Sequence, residues 1–150
     1  MNVAELYGLA FLVDEGVDFA EKTVYLAGNV TVNDMILDPT DETYTSEEAN
    51  WSETVNNAIA WTPIGSVSKP FAGTFDGKPE GATEIYTISG LYVSTSEDGV
   101  GLFAATSKGS TVKNLKLLNS YFGNFDDGDN VNYTGSIIGK SAGAVDGGGR

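Results

Sequence analysis

The chain has 150 residues, 41% of them apolar, with 21 acidic and 8 basic side chains and a formal net charge of −13. This length predicts one domain, and the negative charge argues against nucleic acid, anionic membranes and polyuronates as partners, because each needs a basic surface. Histidine and cysteine are both absent, which excludes disulfides, thiolate metal sites and histidine-dependent catalysis. No run of 18 apolar residues occurs, so we expect no membrane insertion of this segment.

Residues 1–16 predict a short amphipathic helix that ends at Gly16, because glycine adopts the left-handed conformation common after helix C-termini. A helix lying across the open end of a stacked β-structure would protect unpaired strand edges and the core beneath them. We interpret the segment as an N-terminal cap, with a partner-binding helix as the alternative. Its apolar face is predicted to contain Val3, Leu6, Ala10 and Val13, flanked by Tyr7 and Phe11.

Strands are predicted next at 22–26 and 29–33, followed by an acidic loop excursion over 34–60 and a return to regular structure at Trp61. Two internal matches follow. Segment 101–109 matches 135–143 at an offset of 34, with glycines in the first and ninth positions, and segment 87–93 matches 111–117 at an offset of 24. Recurrence at such periods is typical of stacked-repeat proteins.

The apolar residues in these segments alternate with period 2, which indicates strands with one buried face. Strands joined by glycine turns in coils of about 22 to 25 residues predict an all-β parallel β-helix (a solenoid) over 17–150, with coils about 4.8 Å apart. The offset of 34 is ten residues longer than the offset of 24, and these extra residues place a loop excursion at 122–132. The chain ends where another strand copy is expected, so we interpret residues 1–150 as one β-helix domain from a longer protein, with an atypical last coil as the alternative.

Five motifs occur in a fixed order: WTPIG at 61–65, FAGTFDG at 71–77, ISGLYV at 88–93, VGLF at 100–103 and VKNLKL at 112–117. DFAEKTVYL at 18–26 precedes them. The series resembles bacterial cell-surface proteins that carry the GLUG motif. Three departures are Ala104 in place of a glycine, an insertion at 78–85 that predicts a protruding loop, and Tyr86 where the family has histidine.

The resemblance implies a right-handed parallel β-helix in an exported, adhesin-like protein, located outside the cell or on its surface. Some relatives are joined to metallopeptidases that cleave immunoglobulin A, but the protease lies in another domain. No catalytic residue belongs to the repeat motif, so the resemblance transfers none.

The motif residues have structural interpretations. Trp61 is predicted to pack at a corner of the fold rather than to stack on a sugar, and Asn114 to join an inward ladder of asparagines that satisfies turn amides. Predicted core ladder positions are Phe75, Leu91, Phe103, Leu115 and Ile137.

The loop around Gly128 contains the candidate site residues. Asp126, Asp127, Asp129 and Asn130 offer closely spaced oxygen ligands that suit Ca²⁺, against the alternative of a solvated turn. Glycoside hydrolysis requires two carboxyl groups, and two of the three aspartates would supply them in the alternative enzyme interpretation. We expect no other cofactor.

We therefore predict a noncatalytic structural or adhesive module that presents loops 34–60, 78–85 and 122–132 to a host or bacterial surface protein or to a neutral glycan. The alternative is a carbohydrate-active enzyme that acts on a neutral polysaccharide through loop carboxylates in a lateral groove. An uncapped final coil also predicts end-to-end self-association.

Overall fold

The computed structural model describes residues 1–34, 57–95, 99–124 and 135–146. Within these ranges it contains one short helix and eleven short strands, so the predicted strand-rich class with an N-terminal helix is confirmed. The strands are β1 (Thr23–Tyr25), β2 (Val30–Thr31), β3 (Thr74–Asp76), β4 (Thr87–Ser89), β5 (Tyr92–Thr95), β6 (Phe103–Thr106), β7 (Thr111–Lys113), β8 (Lys116–Leu118), β9 (Tyr121–Asn124), β10 (Ile138–Ser141) and β11 (Ala144–Asp146).

The helix α1 spans Val3–Asp14 and begins with a reciprocal capping box. The Asn2 side chain accepts a hydrogen bond from the Glu5 N–H at 2.9 Å, and the Glu5 carboxylate accepts one from the Asn2 N–H at 2.7 Å. These bonds satisfy two N–H groups that a helix start otherwise leaves unpaired. Gly16 follows the helix with φ of 102°, as expected for a left-handed stop.

The buried face of α1 differs in part from the prediction. Leu6, Ala10 and Val13 are buried, but so is Leu9, whereas Phe11 is 64% exposed. Buried positions at i, i+3, i+4 and i+7 form one stripe on a helix. Phe11 follows Ala10 by one residue and therefore points about 100° away from it, so its assignment to the edge of the apolar face was wrong. No helix among the described residues is long and apolar enough to cross a membrane.

All described strand pairs are parallel. They form four sheets with the orders β1-β3-β7-β11, β2-β4-β8, β5-β9 and β6-β10. Two isolated parallel bridges, Ile64 to Phe103 and Phe71 to Thr106, place the 61–71 segment on the other side of β6. In every sheet the strands lie side by side in chain order. The chain therefore returns to each sheet several times, and each such return, called a pass below, runs along the one before it.

The glycine-framed match at an offset of 34 identifies true neighbours. Ile138 pairs with Phe103, and the Gly135 N–H donates to the Val100 carbonyl oxygen at 2.9 Å. The paired residues Phe103 and Ile138 lie 35 positions apart (138 − 103), one more than the offset of 34 in the sequence match. The prediction that these two segments lie against each other is therefore correct.

The match at an offset of 24 does not identify neighbours. The match aligns β4 with β7, but β4 pairs with β8 and β7 pairs with β3, so the two aligned strands lie in different sheets. Both contain a strand followed by a left-handed residue, Gly90 with φ of 74° and Asn114 with φ of 51°, but they turn at different corners. The pass from Ile88 to its partner Leu117 is longer than the predicted coil, because the coil length was inferred by aligning β4 with β7, which is not its partner strand.

Strand β9 corrects the start of one predicted loop. It continues to Asn124, so residues 122–124 are strand rather than part of the excursion assigned to 122–132. Phe122 is opposite Val93 in the β5–β9 pair and packs against the core, and this burial explains why the strand extends. The rest of that predicted loop lies outside the described residues.

The core is one continuous cluster that includes the buried face of α1. Its centre is aromatic: the ring of Phe103 lies 5.1 Å from that of Phe71 and 5.4 Å from that of Phe75, measured between centroids. Of the predicted core positions, Phe75, Leu91, Phe103 and Leu115 are fully buried, while Ile137 is partly buried against the same cluster.

Candidate functional site

The predicted calcium ligands Asp126, Asp127, Asp129 and Asn130 lie outside the described residues. Within the ranges that the structure describes, no group of three or more histidine, cysteine, aspartate or glutamate side chains is placed to hold a metal ion. The candidate sites below therefore come from other parts of the chain.

A buried carboxylate ends strand β3. Asp76 is only 5% exposed, and one of its oxygens accepts hydrogen bonds from the Lys78 N–H and from the Asn114 side-chain amide, each at 2.9 Å. The Lys113 ammonium lies 3.3 Å from the other oxygen. Because Lys113 and Asn114 belong to the next pass, Asp76 ties two neighbouring passes together at one corner.

Burial alone would raise the pKa of Asp76. The hydrogen bonds from Asn114, Lys78 and Lys113, together with the Lys113 charge, outweigh burial and hold the pKa below its ordinary value. The carboxylate therefore stays ionised with both oxygens occupied. Such a group stabilises a turn but is poorly suited to proton transfer, since a general acid or base needs a pKa near the working pH and access to substrate.

Sequence reasoning did not identify this cluster. The signal available was the FDG sequence at 75–77, since aspartate before glycine is a turn signal. Its partners Lys113 and Asn114 could not be assigned from the match at an offset of 24, because that match places the 111–117 segment beside the wrong strand.

Trp61 anchors the segment that follows the first pass. It is 3% exposed, its backbone N–H donates to the Tyr92 carbonyl oxygen at 2.7 Å, and its indole N–H donates to the Leu102 carbonyl oxygen at 3.3 Å. The predicted packing role is confirmed. A buried indole offers no face to a sugar, so direct stacking on Trp61 is excluded.

The helix α1 is attached at the same place. The Tyr7 ring meets Trp61 edge to face with centroids 4.9 Å apart, and the Tyr7 hydroxyl donates to the Ala60 carbonyl oxygen at 2.6 Å. Burial raises the pKa of Tyr7, so this hydroxyl remains a donor at physiological pH. The cap helix is thus fixed by polar as well as apolar contacts.

An open cleft of about 430 Å³ lies over Trp61. Its walls come from distant parts of the chain: Asp14 at the end of α1, Thr62 and Pro63 after Trp61, and Ser94 and Thr95 at the end of β5. A second, smaller cleft of about 270 Å³ lies near Lys69. The Lys69 ammonium donates to the Asp14 carbonyl oxygen, which holds the end of α1 against the 61–71 segment.

The turn beside the larger cleft depends on glycine. Gly65 has φ of 77°, and a Cβ at this position would lie 2.9 Å from the Lys69 carbonyl oxygen and 3.3 Å from the Ala105 carbonyl oxygen. A side chain there is disfavoured both by conformation and by space. Gly65, the last residue of the WTPIG motif at 61–65, therefore fixes the backbone conformation of this wall.

Comparisons of the chain with protein-family models, with curated proteins and with solved structures found no match.

Proposed function

We propose that the chain is a noncatalytic structural or adhesive module, built as a right-handed parallel β-helix and carried by an exported bacterial cell-surface protein that resembles the GLUG-motif family. The observation that carries the proposal is the order of the strands. Each sheet contains parallel strands in chain order, an arrangement expected when the chain winds repeatedly around one axis.

Such winding supports a display role. Passes about 4.8 Å apart would give a stiff body with long lateral faces, from which loops of different lengths project. Repeat proteins of this kind use extended lateral surfaces for binding. The exposed 78–85 segment between β3 and β4 is one such loop within the described residues.

The noncatalytic assignment is supported by the state of Asp76. This carboxylate lies within the repeat motif, and its oxygens are committed to Lys78, Lys113 and Asn114. Glycoside hydrolysis requires two carboxyl groups about 5 to 9.5 Å apart on either side of a bond. The described lining of the larger cleft supplies one carboxylate, Asp14.

The test separates binding from cleavage. Purified protein is applied to a panel of neutral polysaccharides and of bacterial and host surface proteins, while the release of reducing ends is measured in parallel. We expect binding without new reducing ends. Cleavage that disappears in the Asp126→Ala variant would replace this proposal with the carbohydrate-active enzyme.

Two further measurements test the fold and the location. An experimental density map shows directly whether the passes wind with the right hand. Labelling of intact producing cells with an antibody against the 78–85 loop is expected to succeed without permeabilisation. Labelling only after the cells are permeabilised would contradict surface display.

A further inference from the structure

We propose that the cleft over Trp61 is a binding site for a neutral oligosaccharide. This inference rests on the proposed display function and deepens it, since it names a ligand class and assigns it to a wall of the fold rather than to the loops. The cleft has a volume of about 430 Å³, within the range of roughly 300 to 1,000 Å³ common for small-molecule sites.

The polar groups at the cleft favour a ligand rich in hydroxyl groups. Thr62 and Ser94 contribute exposed hydroxyls from two segments that lie far apart in the chain, and a hydroxyl both donates and accepts hydrogen bonds. Asp14 adds an exposed carboxylate at the end of α1, which accepts hydrogen bonds strongly. Sugar hydroxyls satisfy all three groups.

The charge of the lining excludes anionic ligands. Asp14 is the charged side chain in the described lining, and no lysine or arginine contributes to it. The nearby Lys69 is held by the Asp14 carbonyl oxygen and lines the other cleft. A phosphate or a uronate would therefore meet the Asp14 carboxylate with no cationic side chain in the described lining to offset it, in a protein of net charge −13, and like charges repel.

Apolar atoms complete the lining. Ala60 contributes an exposed apolar side chain and Pro63 a partly exposed one, and the C–H faces of a pyranose ring bury well against such surfaces. The cleft is open to solvent, which suits a short segment of a chain molecule better than a fully enclosed metabolite.

The walls are held in place before any ligand binds. Trp61 forms the floor and is fixed by its two hydrogen bonds to Tyr92 and Leu102. The backbone turn at Gly65 is set by its close approach to Lys69 and Ala105. A rigid site loses little conformational entropy on binding, which compensates for the modest contact area of a shallow cleft.

The test fills the cleft without disturbing the core. Thr62→Trp and Ser94→Trp replace exposed residues on the two walls, and Thr83→Trp places the same ring on an exposed position of the 78–85 loop as a matched control. Binding is measured by calorimetry and by ligand-observed NMR. The ligands are neutral gluco-, galacto-, manno- and xylo-oligosaccharides, with oligogalacturonate as the anionic counterpart.

We expect the wild type and Thr83→Trp to bind at least one neutral oligosaccharide equally. Each cleft variant should bind it at least about ten-fold more weakly. We also expect oligogalacturonate to bind the wild type at least about ten-fold more weakly than the neutral ligand, and Asp14→Asn to narrow this difference.

Other outcomes separate this inference from the proposed function. Failure to bind any neutral oligosaccharide overturns the cleft assignment, and binding to a surface protein in the wider panel would leave the display function standing. Glycan binding that both tryptophan variants retain moves the site elsewhere and also overturns the assignment. Cleavage of a ligand bound in the cleft would instead support the site and refute the noncatalytic function.

Discussion

Replacing Asp76 tests whether the buried carboxylate stabilises the corner between two passes. Asp76→Ala removes the acceptor for the Lys78 N–H and the Asn114 amide. A buried donor left without a partner costs about 1 to 3 kcal/mol, and these two donors are part-buried, so each lies near the lower end of that range. The Lys113 side chain is 39% exposed, so its ion pair adds at most about 1 kcal/mol. We expect Asp76→Ala to lower the free energy of unfolding by about 2 to 4 kcal/mol.

Asp76→Asn separates the charge from the shape. Its amide oxygen can take the place of the oxygen that accepts from Lys78 and Asn114, but both hydrogen bonds then lose their charge assistance. Its NH₂ group takes the place of the other oxygen and cannot pair with Lys113. The expected loss is about 1 to 3 kcal/mol. Glu80→Gln, which removes an exposed carboxylate a few residues away, is the matched control and should not change stability measurably.

The pKa of Asp76 gives this prediction a pH dependence. Because the folded state lowers the pKa, the unfolded chain binds the proton more readily. The stabilisation from Asp76 is therefore complete above the unfolded pKa of about 3.9 and is lost as the pH falls through the lower folded value. The difference between wild type and Asp76→Asn should be largest at pH 7 and should shrink below about pH 4.

Urea unfolding followed by circular dichroism, at pH 7 and at about pH 3.5, measures both quantities. The difference between wild type and variant isolates Asp76 from the protein's other acidic residues. A loss below about 0.5 kcal/mol at pH 7 would place Asp76→Asn among ordinary surface changes. That result, or an equal difference at both pH values, would refute the role assigned to the carboxylate.

Two further predictions test the packing. Gly77→Ala should destabilise the protein strongly, because a Cβ at this position would overlap the Asn114 carbonyl oxygen. The control is Gly28→Ala, which has free space around the new Cβ and should be tolerated. Thermal unfolding compares the two variants, and equal melting temperatures would contradict the packing described at the corner. Phe103→Ala should cost about 3 to 5 kcal/mol because its ring is fully buried. Phe11→Ala, at a residue that is 64% exposed, should cost far less in the same urea assay, and a reversal of that order would refute the assignment of the core.

Much of the local structure could be predicted from the sequence. The sequence located β1 within a residue, and the predicted segments 87–93 and 111–117 begin with β4 and β7 but run on into the strands that follow them. The glycine-framed segments identified the pairing of β6 with β10. Strand pairing elsewhere could not be predicted, because several strand and turn units occur in each pass and resemble one another. A match between two such units, as between β4 at the start of 87–93 and β7 at the start of 111–117, therefore does not show that the two strands share a sheet.

The candidate site was less predictable than the fold. The packing of Trp61 followed from its motif, but the cleft above it combines Asp14, Thr62 and Ser94, which lie far apart in the chain. No local pattern links these residues, since only the long-range packing of α1 and β5 brings them together. Helix periodicity likewise could not show that Leu9 rather than Phe11 contacts the body, because both are large and apolar.

The register of the second sheet shows how this protein can change without refolding. The connection from Val30 to its partner Ile88 is twice as long as the one from Ile88 to Leu117, yet all three residues occupy the same column. Doubling the length of a connection raises its closure free energy by only about 0.6 kcal/mol. Insertions between paired strands therefore destabilise the protein less than any core substitution does. The connecting segments are free to diversify, or to receive a grafted peptide epitope, while the paired strands keep their register.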